Sequence, residues 1–598
     1  MTGAADEAVA SDVVEAAEAW IADDPDAETR AELQALVDEA AGGSEAALDQ
    51  LHARFDTRLA FGTAGLRGEI AAGPNRMNRV LVAQAAAGLA AYLKEQASAG
   101  GARATPLVVI GYDGRKNSHV FARDTAELME GAGVHAVLLP RLLPTPVLAF
   151  AVRHLDASAG VMVTASHNPA RDNGYKVYLG GEDHGSQIVP PADAEIAAHI
   201  DRVARGRISE LPRSDAYEMA DESLVDAYVA ATAAVAAPGG AGLGDGGEPQ
   251  PTGRHAAQPS AEASGLRVVY TAMHGVGWNT ARAVFEAAGL PTPITVPEQA
   301  EPDPDFPTVA FPNPEEPGAL DLAFALARES AADLVIANDP DADRLAIGIP
   351  DAADEQGYRR LSGNEVGTLL GWTAAEQAAE RGASGALAAS IVSSPALAAV
   401  ADAYGLGFEE TLTGFKWVSR VPGLLFGYEE ALGYLVNPQT VRDKDGISAA
   451  TAALALAVRL RAEGKTVADR LDEFTQRFGA YASDQISIRV TELSRIGGIM
   501  AGLRAEPPVR LGEAHVSRID DLRDGWGELP PSDVLRILLD DGSRVMVRPS
   551  GTEPKLKIYI DAFDDSDTDV AGRRAAAQAR VAALRDAIRA LVDEAPIE

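Results

Sequence analysis

The chain has 598 residues, 46% of them hydrophobic and 23% charged, a globular balance too long for one core, so three to five domains are expected. A formal net charge of -36 excludes a general binder of nucleic acid or of anionic membranes; the absence of cysteine excludes disulfides, thiolate metal sites and a cysteine nucleophile. A small phosphorylated ligand stays compatible, because arginine, lysine and backbone N–H groups can reverse the field inside a cleft.

The N-terminus is acidic and lacks a basic-then-apolar leader pattern, and no apolar run approaches the ~20 residues that span a bilayer, so a cytoplasmic location is the default expectation. The first fifty or so residues read as helices, with a helix start expected at Asp24-Pro25. "FGTAGLRG" (Phe61 to Gly68) is a Gly-rich turn, and "VLVAQAAAGLAAYL" (Val80 to Leu93) is a buried helix. "PLVVIGYDGR" and "AGVMVTASHN" are apolar strands that each end in a polar loop, with a helix pattern between them running to Met129. Strands alternating with helices, with polar residues at the strands' C-terminal ends, predict an α/β sheet.

Ala237 to Ala263 is rich in Gly, Pro and Ala and reads as an insertion or linker without a core. "LRVVYTAMHGVG" restarts the strand-then-loop pattern, and "ADLVIANDPDADRLAIGI" (Ala332 to Ile349) is two strands around an acidic loop. The tail differs: "QISIRV" and "KLKIYI" alternate, "VLRILLDDGSRVMV" reads as a hairpin about Asp541-Gly542, and a long helix follows. The expected division is 1–236, a linker 237–264, then 265–362, 363–483 and 484–598, the last an antiparallel α+β module.

Four constellations carry chemistry. Ser166 follows a strand but is not in a G-x-S-x-G elbow, and a serine needs a base, a metal or a phosphate partner to react. A triad histidine would have to come from a distance, and the adjacent His167 is expected to point elsewhere; a plain turn serine is the alternative. Lys176 could supply a nearby cation. In "DPDADR", Asp339, Asp341 and Asp343 would repel one another without a cation, and hard oxygen ligands favour Mg²⁺. An EF-hand is excluded by Arg344 at the sixth position and Pro350 at the twelfth; an acidic surface turn is the other reading. Arg344 could hold a substrate or a neighbouring carboxylate.

The third constellation pairs "TLTGFKW" with "GYEEALGY", where Glu429 and Glu430 could accept hydrogen bonds from vicinal sugar hydroxyls, or simply start a turn. Downstream, "RDKDG" sets Lys444 between two aspartates. The fourth is "RPSGTEPKLKIY": Arg548 offers a bidentate fork, Ser550 and Thr552 hydroxyl donors, and Gly551 close backbone approach, while Lys555 and Lys557 add positive charge. This reads as a phosphate cradle in preference to an ordinary hairpin loop.

Together and in this order, "TASHNP", "DPDADR", "GYEEALG" and "RPSGTEPK" resemble the α-D-phosphohexomutase superfamily, and "FGTAGLRG" with the helical extension resembles its phosphoglucomutase-2-like branch. The resemblance runs from about Phe61 to the C-terminus. It implies four domains around a central cleft, three related α/β mixed-sheet domains followed by a smaller α+β domain that closes over substrate. It implies a phosphoserine at Ser166 and Mg²⁺ held by Ser166, Asp339, Asp341 and Asp343. It assigns proton transfer to a lysine or a histidine near the reacting hydroxyl, with Lys444 matching that lysine and Arg67 and Lys176 matching basic residues that flank the phosphoserine. His167, Arg344, Thr413, Gly414, Lys416, Glu429, Glu430, Arg548, Ser550, Gly551, Thr552 and Lys557 would contact substrate.

The implied activity is a phosphoglucomutase interconverting glucose 1- and 6-phosphate through a sugar 1,6-bisphosphate, which also serves as activator. Phosphomannomutase and phosphopentomutase are the alternatives within the family, and a metal-dependent phosphatase is the alternative outside it. Partners are expected to be a small phosphosugar only, with no nucleic acid and no membrane, on a monomer or dimer. One departure bears on specificity: Ala431 stands two positions after Glu429, where many hexose mutases carry serine.

Overall fold

A computed structural model of the chain describes residues 3–100, 103–237, 265–490, 493–527, 529–550 and 555–593. The expected linker falls almost wholly outside these residues, as do Gly551 and Thr552. The chain divides into two compact units, Met1–Arg360 with Asn437–Ala455, and Leu361–Val436 with Leu456–Glu598.

The first unit holds two sheets. In chain order the strands of the first are β1 (Leu66–Glu69), β2 (Leu107–Tyr112), β3 (His135–Leu138), β4 (Ala159–Val163), β5 (Asp172–Leu179), β6 (Ser186–Gln187) and β7 (Glu218–Met219). They lie in the order β1-β5-β4-β2-β3-β7, with β6 on β5. The β4-β2-β3-β7 stretch is parallel, while β5 runs antiparallel to β1, β4 and β6. All five residues of β4 are buried, as an unbroken apolar run covered on both faces requires. Helices Arg79–Ser98, Ser118–Gly131 and Ala192–Val203 build one core with this sheet. The "LRG" of the Gly-rich stretch is not turn but β1, in register with Gly174 and Tyr175 of β5.

The second sheet has β8 (Val268–Thr271), β9 (Ile294–Thr295), β10 (Leu334–Ala337), β11 (Ala346–Pro350) and β12 (Tyr358–Arg360), in the order β12-β11-β10-β8-β9. The acidic loop joins β10 to its antiparallel neighbour β11. N-terminal to both sheets, helices Gly3–Asp23, Ala27–Ala41 and Glu45–Phe55 share a small core of Val13, Ala17, Leu33, Val37 and Leu51 with Ala72. The second of these helices starts after Asp26, not at Asp24: Asp26 accepts the Glu28 N–H as N-cap, and Asp24 instead accepts from Asp26 N–H and the Thr29 hydroxyl.

The second unit has a four-stranded sheet of β13 (Ala386–Ser390), β14 (Gly407–Thr411), β15 (Leu424–Glu429) and β16 (Gly433–Leu435), ordered β14-β13-β15-β16. It also has a fully antiparallel sheet of β17 (Ala480–Arg489), β18 (Arg510–Leu511), β19 (Ala514–Asp521), β20 (Leu535–Leu539), β21 (Arg544–Pro549) and β22 (Lys555–Asp564). Helix Val570–Asp593 packs on β17 and β22. Ile391, Val392 and Leu412, just past β13 and β14, share an apolar cluster with Val534, just before β20, Met546 of β21 and Tyr559 of β22. The fold is thus three mixed α/β sheets followed by an α+β module, as expected. No described helix is long and apolar enough to cross a membrane.

Candidate active site

The site in the first unit is built on chain ends of strands. β4 stops at Val163, and Ser166 takes the left-handed conformation at φ 52°, a strained choice for a non-glycine residue that marks functional loops. Its N–H donates to the Thr164 hydroxyl at 2.8 Å. The loop is pinned from beneath by Arg115, whose guanidinium donates to the carbonyls of Ser166, Asn168, Pro169 and Asp172 at 2.5–3.1 Å. Arg115 in turn sits 3.5 Å from Asp113 and stacks on Phe306 with 5.0 Å to the ring centre. Arg67, on β1, donates to the Asn168 side chain at 3.1 Å. Arg115 is absent from the residues singled out in the sequence, although "YDGR" directly after a strand was its signal.

The expectation for His167 is overturned. Its Nδ1 lies 3.1 Å from Ser166 Oγ. The left-handed turn at Ser166 makes neighbouring side chains converge, which an extended backbone would not do. The His167 ring also meets Phe311 edge-on, with 6.2 Å between centres.

The Ser166 hydroxyl donates to Asp339 Oδ2 at 2.9 Å, closing a contact across 173 residues. Asp339, Asp341 and Asp343 are all fully buried, and one oxygen from each lies within 4.8 Å of the others. Close packing shapes their loop: a Cβ at Gly275 would lie 2.3 Å from Pro340 Cα, and one at Gly446 2.2 Å from the Arg344 carbonyl oxygen. Cations surround the acids. Lys176 Nζ donates to Asp341 at 2.7 Å and to Asp343 at 3.0 Å, Lys444 Nζ stands 3.1 Å from Asp343, and Arg344 reaches Glu315 at 3.7 Å. The Thr145 hydroxyl donates to Asp341 at 2.7 Å.

Compensation is incomplete. Asp341 Oδ1 and Asp343 Oδ1 are buried with no hydrogen-bond partner, an expensive state for a carboxylate. Two such oxygens beside Asp339 and Ser166 Oγ form an all-oxygen donor set that fits a hard divalent cation. Burial, Asp341 and Asp343 together push the Asp339 carboxyl well above the ordinary range. Burial also opposes ionisation of Asp343, but Lys176 and Lys444 more than offset it and hold this acid well below the ordinary range. Burial lowers Lys444 while Asp343 and Asp443 raise it further, so the net shift is upward and the ammonium is protonated. His167 is held well below 6.5 by burial and by Arg344 and Arg67, so its ring is neutral.

The remaining singled-out residues lie in the second unit. Glu429 ends β15 and accepts the Gly414 N–H at 2.6 Å, in the turn that carries Thr413 and Lys416. Glu430 faces the other way: Ser390 and Ser393 hydroxyls each donate to its Oε2 at 3.0 Å, tying it into the end of β13. Arg548, next to last in β21, lies opposite Lys557 of β22, and Ser550 N–H donates to the Lys555 carbonyl at 2.7 Å, so these donors share one hairpin end.

All four domains of the phosphoglucomutase/phosphomannomutase family match in order: domain I over residues 58–207, domain II over 254–352, domain III over 362–478 and the C-terminal domain over 489–589. A Haemophilus influenzae protein called "Probable phosphomannomutase" is 54% identical over 496 residues, 82% of this chain and 95% of that protein. A mouse phosphopentomutase is 36% identical over 87% of this chain and 86% of its own. A crystal structure of a phosphoglucomutase/phosphomannomutase family protein from Burkholderia thailandensis superposes with a TM-score of 0.65 at 20% identity, covering 90% of this chain and 98% of that one. None of these three carries a phosphatase name, and the phosphatase reading finds no support. The chain therefore belongs to the phosphoglucomutase/phosphomannomutase family of the α-D-phosphohexomutase superfamily, and it is a phosphosugar mutase that transfers a phosphoryl group within its substrate.

Proposed function

We propose that the chain interconverts the 1- and 6-phosphates of glucose, and accepts mannose phosphates in the same site, through a phosphoserine at Ser166 and a sugar 1,6-bisphosphate. The observation that carries this reading is the Ser166 hydroxyl at 2.9 Å from Asp339, beside two buried aspartates with unpartnered oxygens. In the forward half-reaction a sugar hydroxyl attacks the phosphorus on Ser166. The P–O bond to the sugar forms as the bond to Oγ breaks, the hydroxyl proton passes to Lys444 in its neutral amine form, and Oγ takes a proton from His167 or Asp339. In the return half the other phosphoryl group moves to Ser166. The departing sugar oxygen then takes a proton from Lys444, and the Ser166 proton goes to His167 Nδ1 or Asp339, which lie 3.1 and 2.9 Å away.

Ser166, Asp339, Asp341 and Asp343 would hold Mg²⁺, which supplies charge stabilisation for the phosphoryl oxygens. Arg67, Lys176 and Arg344 add positive charge around the reacting group. Arg548, Ser550 and Lys557, with Gly551 and Thr552, would hold the phosphate that is not being transferred, and Glu429 with the Thr413–Lys416 turn would grip sugar hydroxyls.

Two measurements test the reading. Peptide mapping after exposure to glucose 1,6-bisphosphate should find phosphate on the Ser166 peptide. Initial rates on glucose, mannose and ribose 1-phosphates should favour the hexoses; equal or better turnover of the pentose would reverse the ranking.

A further inference from the structure

Lys444 reaches the acid cluster from a stretch, 437–445, that has neither helix nor strand. Its ion pair with Asp343 fixes only the tip of a long, rotamer-rich side chain. The backbone is held by different groups. Asp443 Oδ1 accepts the N–H of Lys444 itself at 2.8 Å. Asp443 Oδ2 accepts two hydrogen bonds from the first sheet, from the Tyr178 hydroxyl at 2.9 Å and from Gln187 Nε2 at 2.8 Å. Tyr178 and Gln187 are cross-strand partners on β5 and β6, so both donors are set by sheet register. Tyr178 is also two residues from Lys176 on β5, and alternate strand residues share a face. One strand face therefore anchors the metal loop through Lys176 and the Lys444 stretch through Tyr178.

A second clamp lies on the other side of Lys444. Asp445 Oδ1 accepts the Tyr228 hydroxyl at 3.0 Å and the N–H groups of Ile447 and Ser448 at 3.0 and 2.9 Å. Burial and then the aspartate partners hold both tyrosines well above 10, so the hydroxyls stay donors at any working pH.

We propose that Tyr178 with Gln187, and Tyr228, are positioning residues for Lys444, clamping the two aspartates that flank it so that its ammonium is presented to the acid cluster. The proposal rests on the reading of Lys444 as the proton carrier. The clamp acts on the backbone, so it persists when the Asp343 carboxylate is otherwise engaged.

The test is a double-mutant cycle on the full chain with glucose 1-phosphate and saturating bisphosphate. Tyr178→Phe should lower kcat roughly 10- to 100-fold, the cost of misplacing a reacting group by about 1 Å. KM should stay within about twofold, and so should Mn²⁺ affinity read by electron paramagnetic resonance. Gln187→Leu, at a partly exposed position, should lower kcat in the same sense but less, and it serves if Tyr178→Phe fails to fold. On a Lys444→Ala background either change should add nothing to the loss of kcat. A full additional loss on that background would overturn the clamp while leaving Lys444 in its role, as would wild-type kcat in both single variants. Wild-type kcat in Lys444→Ala alone would overturn the proton-carrier reading and the clamp with it.

Discussion

The acids around Asp339 and the acids around Arg544 show two ways to bury carboxylates beside cations. Around Arg544 each oxygen of Asp561 and Glu410 has a donor. Arg544 donates to Asp561 at 2.8 Å and to Glu410 at 3.0 Å, the Ser483 hydroxyl caps the other Asp561 oxygen at 2.6 Å, and Arg536 takes the second Glu410 oxygen at 2.8 Å. In the first unit three acids share their cations, and two buried oxygens are left without a hydrogen bond. The first arrangement is what stability asks for. The second costs stability and is retained where a ligand completes it. Unmet acceptors gathered on neighbouring acids beside a nucleophile, more than acidity or burial, mark the site; a lone unmet oxygen such as Asp445 Oδ2 does not.

The sharpest break of this comparison is at the nucleophile. Ser166→Ala should lower kcat by at least about 10³-fold, since no other group can carry the phosphoryl, with an unchanged denaturation midpoint because a loop hydroxyl packs little. Next comes Asp339→Asn. It removes a charge that burial and two neighbouring carboxylates disfavour, so the metal-free protein should melt higher. Added Mg²⁺ should no longer raise that melting temperature, and kcat should fall about 10²-fold or more. A lower melting temperature without metal would mean that the cluster is a brace after all.

The converse holds for Glu410. Glu410→Ala takes one charged partner from Arg536 and Arg544, which keep Asp520 and Asp561, so urea unfolding should show a loss of about 2 kcal/mol. At 25 °C, kcat should change less than about threefold. A large kcat loss with unchanged stability would place Glu410 with the working acids.

Much of this was legible because each motif is contiguous. "DPDADR" shows its three acids in six residues, and alternating or unbroken apolar runs announced the strands that flank it. What sequence hid was direction. Nothing marks Ser166 as left-handed, since glycine and asparagine are the residues that advertise that conformation, and so the approach of His167 was missed. Glu429 and Glu430 look alike in a string, yet consecutive residues at a strand end face opposite sides. That period-2 rule separates a carboxylate on the Gly414 turn from one tied to Ser390 and Ser393. Arg115, Thr145 and Tyr178 act across 51 to 265 residues, and no local pattern states such pairings.

A pH-dependent effect separates a buried acid that is half satisfied from those that are fully paired. Asp445 uses Oδ1 for three donors, but its Oδ2 is buried without a partner. Burial outweighs the hydrogen bonds from Ser448 and Tyr228 and pushes its pKa up to about 6 from 3.8. The folded chain therefore binds this proton more tightly than the unfolded chain does. The stabilisation it brings is complete below about 3.8 and is lost as pH rises through about 6. At about 1.4 kcal/mol per pH unit the whole effect is roughly 3 kcal/mol. Asp445→Asn keeps an oxygen for Tyr228 and the two N–H groups but cannot ionise. Its urea midpoint relative to wild type should rise between pH 4 and pH 6 and then level off. A difference that is flat across that range would show that the Asp445 carboxylate is fully solvated or paired in the folded state.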